Sequence, residues 1–390
     1  MSLFRKRDPS ERVKPQNLDE TGILDLPYLV LTILLACIGV LMMFSASYAK
    51  AYYDTGNSAY YFVRQVWFAA GGIAVTIIIG RLNYFIWHRL SLLILGAAIL
   101  LLAMVLIPGV GVTHNGATRW LRIGIEFQPS EIAKLAVILT FASFMSVFQD
   151  RMGTFTCGVL PYVLILGVVA GLLVLQKHLS ATLIICLIGA FMMMIGGTRW
   201  PWFVVLGVVF GIFLLIYLSS RGYAGGRVTA WKNPESDPRG AGYQIIQSKY
   251  AISSGGLLGL GFGKSHQKYL YLPEAQNDYI FAIVCEELGL IGASVVMLLF
   301  IFLILRGYWI AIHARDRFGT LIAAGFSTKL AIQVFFNIGV VTNFLPATGI
   351  SLPFFSYGGT ALLLQMFEMG IVLSVSRWCT NKQAIGRRKA

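Results

Sequence analysis

The chain alternates between long, almost unbroken apolar runs and shorter polar segments. Ten runs approach or exceed the ~20 residues that a helix needs to cross ~30 Å of hydrocarbon. They cover residues 26–44, 66–79, 90–107, 132–148, 159–175, 181–195, 202–218, 279–305, 321–341 and 359–375. The second and sixth are short, which predicts tilt or irregularity there. Lipid offers the backbone no hydrogen-bond partners, so runs of this length predict helices. The expected fold is an all-α integral membrane protein of about ten transmembrane helices. A large extracytoplasmic loop, residues 219–278, separates helices seven and eight. Residues 1–25 and 376–390 read as basic tails around a membrane domain at 26–375.

Composition agrees. Hydrophobic residues make up 57% and charged residues 12%, with a mean hydropathy of +0.73. A soluble domain carries about 25% charged residues, so a soluble globule is excluded, and so is a disordered chain. The net charge of +14 would suggest nucleic acid in a soluble protein. Here much of it lies in the tails, at Arg5, Lys6, Arg7, Arg12 and Lys14, and at Arg377, Lys382, Arg387, Arg388 and Lys389. Beside spans, such residues set topology and contact anionic membrane lipids, and no nucleic acid is expected. With both termini cytoplasmic, the inside segments hold about 17 Lys and Arg and the short outside loops about five. The first run, at about 19 residues, exceeds a signal-peptide core and is expected to remain as a helix. The cysteines form no C-x-x-C and the histidines no H-E-x-x-H, so neither a disulfide framework nor a dedicated zinc site is expected.

Three outside segments carry denser chemistry than connectors need. In the first, residues 109–131, Pro129-Ser130-Glu131 reads as a helix start. Glu131 and Lys134 share one helical face. A local ion pair at a helix end is the plain alternative, but an ion inside an apolar run points to a functional site. Arg119 beside Trp120 suits either a phosphate or sugar contact or the membrane interface. The second segment contains Gly263-Lys264-Ser265, yet Walker spacing puts its first glycine on Leu258, and the predicted side holds no ATP. The glycines instead suit close backbone packing or a re-entrant turn. Asp278 ends this segment, where a helix N-cap and a functional acid are equally open. Glu286 and Glu287 read as partners for Lys or Arg on neighbouring helices. In the third segment, residues 342–359, Pro346, Gly349, Pro353, Gly358 and Gly359 forbid a continuous helix and favour a cavity wall.

Together these segments resemble the SEDS family (shape, elongation, division and sporulation) of peptidoglycan glycosyltransferases, over nearly the whole chain. The resemblance rests on GATRWLRIG…QPSEIAK, on WKNPESDPRGAGYQIIQSKYAISSGGLLGLGFGKSHQKYLYLPEAQNDYIFAIVCEELG, and on LPATGISLPFFSYGG. The glycine-rich string looks more like the division and sporulation members than the elongation member. The resemblance implies ten spans with both ends cytoplasmic, and polymerisation of lipid II with release of undecaprenyl pyrophosphate. It implies that Asp278 is the essential carboxylate, and that Glu131 and Lys134 line the same cavity. A class B penicillin-binding protein is the implied partner, within the division or sporulation machinery. The segment from Gln176 to Ser180 departs from the Pro-Asp-Leu-Gly type sequence of many members.

The chemistry fits these residues. A lipid pyrophosphate already leaves as a stable anion, so a single base to activate a sugar hydroxyl suffices. Asp278 is expected to be that base. Arg119, Lys134, Lys264 and Lys268 are candidate cations for the pyrophosphate, with Glu274 and Ser356 as further substrate contacts. No cofactor is required by this scheme; a divalent cation, Mg or Mn, is compatible with it, though no ligand set is visible. A lipid II flippase and a recruiting scaffold are the competing functions, and the same cavity would serve the flippase.

Overall fold

The computed structural model describes residues 22–114, 117–220, 229–240 and 242–379. Most of the two basic tails lies outside these residues. All ten apolar runs fall on helices: α1 (Leu26–Thr55), α2 (Tyr60–Arg81), α3 (Phe85–Val105), α4 (Pro129–Val147), α5 (Leu160–Leu175), α6 (Leu179–Gly196), α7 (Trp200–Ser220), α9 (Ile280–His313), α10 (Arg317–Val341) and α11 (Gly359–Ser376). A further helix, α8 (Tyr243–Gly255), lies within the long loop and packs on α9. Among the described residues, nine helices are long and apolar enough to cross a membrane; α7 coincides with the seventh run. The second span is not short. Tyr60, Tyr61 and Arg64 extend α2 to 22 residues, about 33 Å at 1.5 Å per residue.

Polar contacts close one face of the bundle. Asp25 caps α1 by accepting the Tyr28 N–H, at 3.0 Å, and takes a forked pair of bonds from Arg306 near the end of α9. Its own N–H donates to Ser376 at the end of α11, and the Gly22 N–H donates to the Arg377 carbonyl. The two described chain ends therefore meet on one face, which requires an even number of crossings between them. The three polar segments singled out above all lie at the opposite helix ends.

Residues 109–128 depart from the all-α expectation. Strands β1 (Gly111–His114), β2 (Ala117–Ile123) and β3 (Ile125–Phe127) form a small antiparallel sheet that roofs the start of α4. Val112 faces Trp120 and Arg122 faces Glu126, with which it forms an ion pair. Without a long apolar run this segment cannot span, and a hairpin satisfies its backbone locally.

The glycine-rich string folds against a break in α9. Gly289 has φ +67, ψ −172, which interrupts the helix. The freed groups pair with the loop: Leu260 and Gly261 N–H donate to the Glu286 and Glu287 carbonyls, and Leu290 and Ile291 N–H donate to the Gly256 and Leu257 carbonyls. A Cβ on Gly259 or Gly289 would lie within about 2.3 Å of opposing backbone. Glu286 and Glu287 find most of their partners in the loop and not, as expected, in Lys or Arg of neighbouring helices; the one lysine, Lys268, belongs to the loop. Glu286 accepts from Ser265 Oγ and the His266 and Gln267 N–H groups, and Glu287 from Ser45, the Ser265 N–H and Lys268. The two acids clamp the 265–268 turn onto α9.

Inside the bundle, Lys329 of α10 is fully buried against Glu368 of α11, at 2.5 Å, with Gln365 as a third partner. Two charges in a low-dielectric interior persist only as a pair. Lys329→Met is therefore expected to cost about 3–5 kcal/mol by stranding the Glu368 charge, and Lys329→Met with Glu368→Leu to recover most of that loss. Denaturant unfolding of the detergent-solubilised protein measures both; an unaltered midpoint in the single variant contradicts the pairing.

Candidate active site

Asp278 is the first residue to place. Helix α9 starts at Ile280 with Tyr279 at its N-cap, and no side chain caps it. The capping role left open for Asp278 is thus not the one it plays. Asp278 is half-buried where the long loop meets α9. Its carboxylate lies against Gly349: a Cβ there would sit 3.2 Å from Asp278 Oδ2, and Gly349 itself has φ +72. A side chain at 349 would be strained and would crowd the acid.

The non-helical segment 342–358 forms the opposing wall, and five side chains stitch it down, with a sixth at its edge. Asn337 of α10 donates to the carbonyls of Asp278, at 2.8 Å, and Ile350, at 2.7 Å. Ser356 Oγ donates to the Asn277 carbonyl at 2.7 Å and accepts from the Leu352 N–H. The Tyr357 N–H donates to the Gln276 carbonyl. Gln65 of α2 reaches both the Ser356 carbonyl and the Gly358 N–H. Ser180 donates to the Thr348 carbonyl, Ser248 to that of Val341, and Trp231 to that of Asn343. The segment is non-helical, as its prolines and glycines imply. Its polar backbone is satisfied from several directions, as irregular backbone at membrane depth requires.

Ser180 links this wall to the ion pair of α4. It begins α6, two residues after His178, whose ring nitrogen meets Gln128 at 3.4 Å. Burial, with Arg119 and then Lys134 nearby, pushes the His178 imidazole down to about 3, so it is neutral at physiological pH. Pro129 opens α4 and Glu131 sits in its first turn, as the sequence implied. Lys134 is 2% exposed and bonds Glu131 Oε1 at 2.6 Å. Arg119, on β2, donates to the Lys177 carbonyl at 2.6 Å. Contacts and short stretches of backbone thus lead from Asp278 through Gly349, Thr348 and Ser180 to His178, which has Arg119, Lys134 and Glu131 nearby. The 176–180 segment lies between the two groups.

Other expected contacts fall elsewhere. Lys268 is buried, and its ammonium donates to Ser45 Oγ, the Gly263 carbonyl and Glu287. All three donors are taken, which removes it as a pyrophosphate ligand. Lys264 is exposed on a separate 440 Å3 groove with His266 and Tyr269, whose lining excludes Asp278, Glu131 and Lys134. Glu274, at φ +56, accepts from Asn277 Nδ2 at 2.6 Å and steadies the turn before Asp278. Ser356 spends its hydroxyl on the wall. Both shape the site from behind rather than from its open side.

The sequence reading passed over Lys329, Gln333 and Asn337. They stand four residues apart, so they form one buried polar stripe down α10. Asn337 Oδ1, Gln333 Oε1, Thr348 Oγ1, Ser130 Oγ and His178 Nδ1 are buried with no protein hydrogen-bond partner. Buried polar atoms of this kind are commonly satisfied by water, an ion or a ligand. Among the described residues no group of three or more His, Cys, Asp and Glu is placed to hold a metal ion.

Known proteins resemble this chain over most of its length. Stage V sporulation protein E of Bacillus subtilis is 42% identical over 357 residues, covering 91% of this chain and 97% of its own. A probable peptidoglycan glycosyltransferase FtsW of Geobacter sulfurreducens is 39% identical over 361 residues, covering 92% and 97%. In three dimensions, a chain of a peptidoglycan synthase complex that coordinates polymerization and crosslinking matches with a TM-score of 0.73 at 26% identity, over 91% of this chain and 98% of that one. The rod shape-determining protein RodA of Thermus thermophilus matches at 0.67 and 26% identity, over 92% and 98%. Residues 26–381 match the FTSW_RODA_SPOVE model, described as cell cycle protein, and the chain belongs to that family.

Proposed function

We propose that this protein is a multi-pass membrane glycosyltransferase that polymerises lipid II into peptidoglycan strands, with Asp278 as its general base. The family and the names of its relatives support the activity. The observation that carries the role of Asp278 is local. Its carboxylate does not cap α9; it lies half-buried against Gly349 of the 342–358 wall, which Asn337 and Ser356 tie to the Asp278 and Asn277 carbonyls.

An acceptor sugar hydroxyl attacks the donor anomeric carbon as its proton passes to the Asp278 carboxylate. The bond from that carbon to the pyrophosphate oxygen breaks, and undecaprenyl pyrophosphate leaves with the bonding electrons. Direct displacement inverts the anomeric carbon. Arg119 and Lys134 supply positive charge toward the departing pyrophosphate. Glu131 holds Lys134 in place and keeps the pair nearly neutral until the anion arrives. Lys264, on its own groove, is left as a secondary lipid-headgroup contact. A divalent cation would ride mainly on the substrate phosphates with one carboxylate, as hydrated Mg2+ commonly does, and no step above depends on it. The partner is a class B penicillin-binding protein that crosslinks the strand. Both tails are cytoplasmic, which places Asp278 outside with the substrate sugars.

Two outcomes follow. With purified protein, lipid II and a candidate transpeptidase in detergent, Asp278→Asn lowers polymer formation by at least ~10²-fold. Polymer at the wild-type level, or lipid II movement in liposomes by a preparation that makes none, contradicts the reading. Lys134→Gln is expected to slow polymerisation by roughly 10²–10³, and Lys134→Arg to restore part of it. Equal rates in all three proteins on polymer gels contradict the role given to the Lys134 charge.

A further inference from the structure

Asp278 sits at a junction, and its own helix does not fix it: α9 begins two residues later with no side-chain cap. Among the groups that hold it are Asn337 of α10 and Gly349 of the 342–358 wall. Asn337 is 1% exposed, one helical turn from the end of α10. Its amide nitrogen bridges two carbonyls, those of Asp278 and Ile350, at 2.8 and 2.7 Å. Both partners are acceptors only, so the amide has one workable orientation; turned over, its oxygen would face two oxygens. One side chain therefore ties the backbone of the acid to the backbone beside Gly349, the residue against which the carboxylate lies.

We propose that Asn337 is a positioning residue for the Asp278 carboxylate. It fixes the distance between the acid and the Gly349 wall, and so the place where the acceptor hydroxyl must arrive. The inference rests on the reading of Asp278 as the base. Three features raise it above routine satisfaction of buried carbonyls. The two carbonyls belong to segments 72 residues apart in sequence (278 and 350), so the bond sets a tertiary distance rather than a local turn. Asn337 continues the stripe of Lys329 and Gln333, and Lys329 anchors α10 to α11 through Glu368, so the clamp stands on a rigid element. Its carboxamide is buried, so the clamp acts through the two carbonyls it holds and not through contact with substrate. Misplacing a base by about 1 Å costs of order 10²-fold in rate, and that loss falls on turnover rather than on substrate binding.

The test compares wild type, Asn337→Asp, Asn337→Ser and Asp278→Asn, each purified with the same transpeptidase and supplied with lipid II. Polymerisation is followed over lipid II concentration, and folded protein is quantified by thermal unfolding. Asn337→Asp keeps the shape but replaces the double donor with an acceptor. Asn337→Ser keeps a single short donor, adds no charge, and decides the matter if the aspartate variant does not fold. The expected result is a fall in kcat of at least tenfold per folded molecule in both, with KM for lipid II within threefold of wild type. A smaller fall in kcat, or a loss carried by KM or by the folded fraction alone, overturns the inference. The parallel Asp278→Asn protein keeps the two claims separate. If it still makes polymer, the base assignment fails. If it is silent while Asn337→Ser turns over normally, only the positioning role fails.

Discussion

The site depends on a constraint that the membrane imposes on backbone. Irregular chain at membrane depth has no water to satisfy it, so every N–H and C=O needs a protein partner. This protein places two irregular segments, 256–279 and 342–358, at the same end of a helical bundle. It satisfies them through one another and through side chains of α2, α6, α8 and α10. The hydrogen bonds that make the segments tolerable also bring Asp278 to Gly349. The same few amides and hydroxyls therefore serve both the tolerance of irregular backbone and the placement of Asp278.

The same economy appears among the charges. Lys134 with Glu131 and Lys329 with Glu368 are buried pairs on adjacent helices. Each is nearly neutral as a unit, which keeps the cost of burial low. Only the α4 pair lies at the helix end that meets the site, next to His178 and the β2 strand. Lys329 stands near the middle of α10 and pairs with Glu368 on α11. Lys268 shows the contrasting case. It lies in a family-like string and looks available in sequence, but its three donors are consumed by the clamp that holds the loop to the broken α9.

The helices were legible because a 20-residue apolar run has one stable form in lipid. The ends were less so: α2 began six residues before its apolar run, since Tyr60, Tyr61 and Arg64 are at home in an interfacial helix. The small sheet could have been found, because Asn115-Gly116 stands between two β-rich stretches and is a strong hairpin signal. Asp278, Glu131 and Lys134 stand out as candidates because acids and bases near spans are conspicuous, and the family resemblance singles out Asp278. Asn337 and Ser180 do not stand out, because neutral amides and hydroxyls leave little mark in an apolar segment. Only the four-residue spacing of Lys329, Gln333 and Asn337 betrayed a polar face. The pairing of Ser180 with Thr348 is a tertiary fact with no local signal.

The central claim is that donor, acceptor and acid meet where the 274–278 turn faces the 342–358 wall. A structure of the Asp278→Asn protein trapped with lipid II tests it directly. The account predicts a sugar hydroxyl within hydrogen-bond reach of residue 278 and a pyrophosphate beside Arg119 and Lys134. A pyrophosphate seated instead in the Lys264 groove, with residue 278 remote from every sugar, would contradict it.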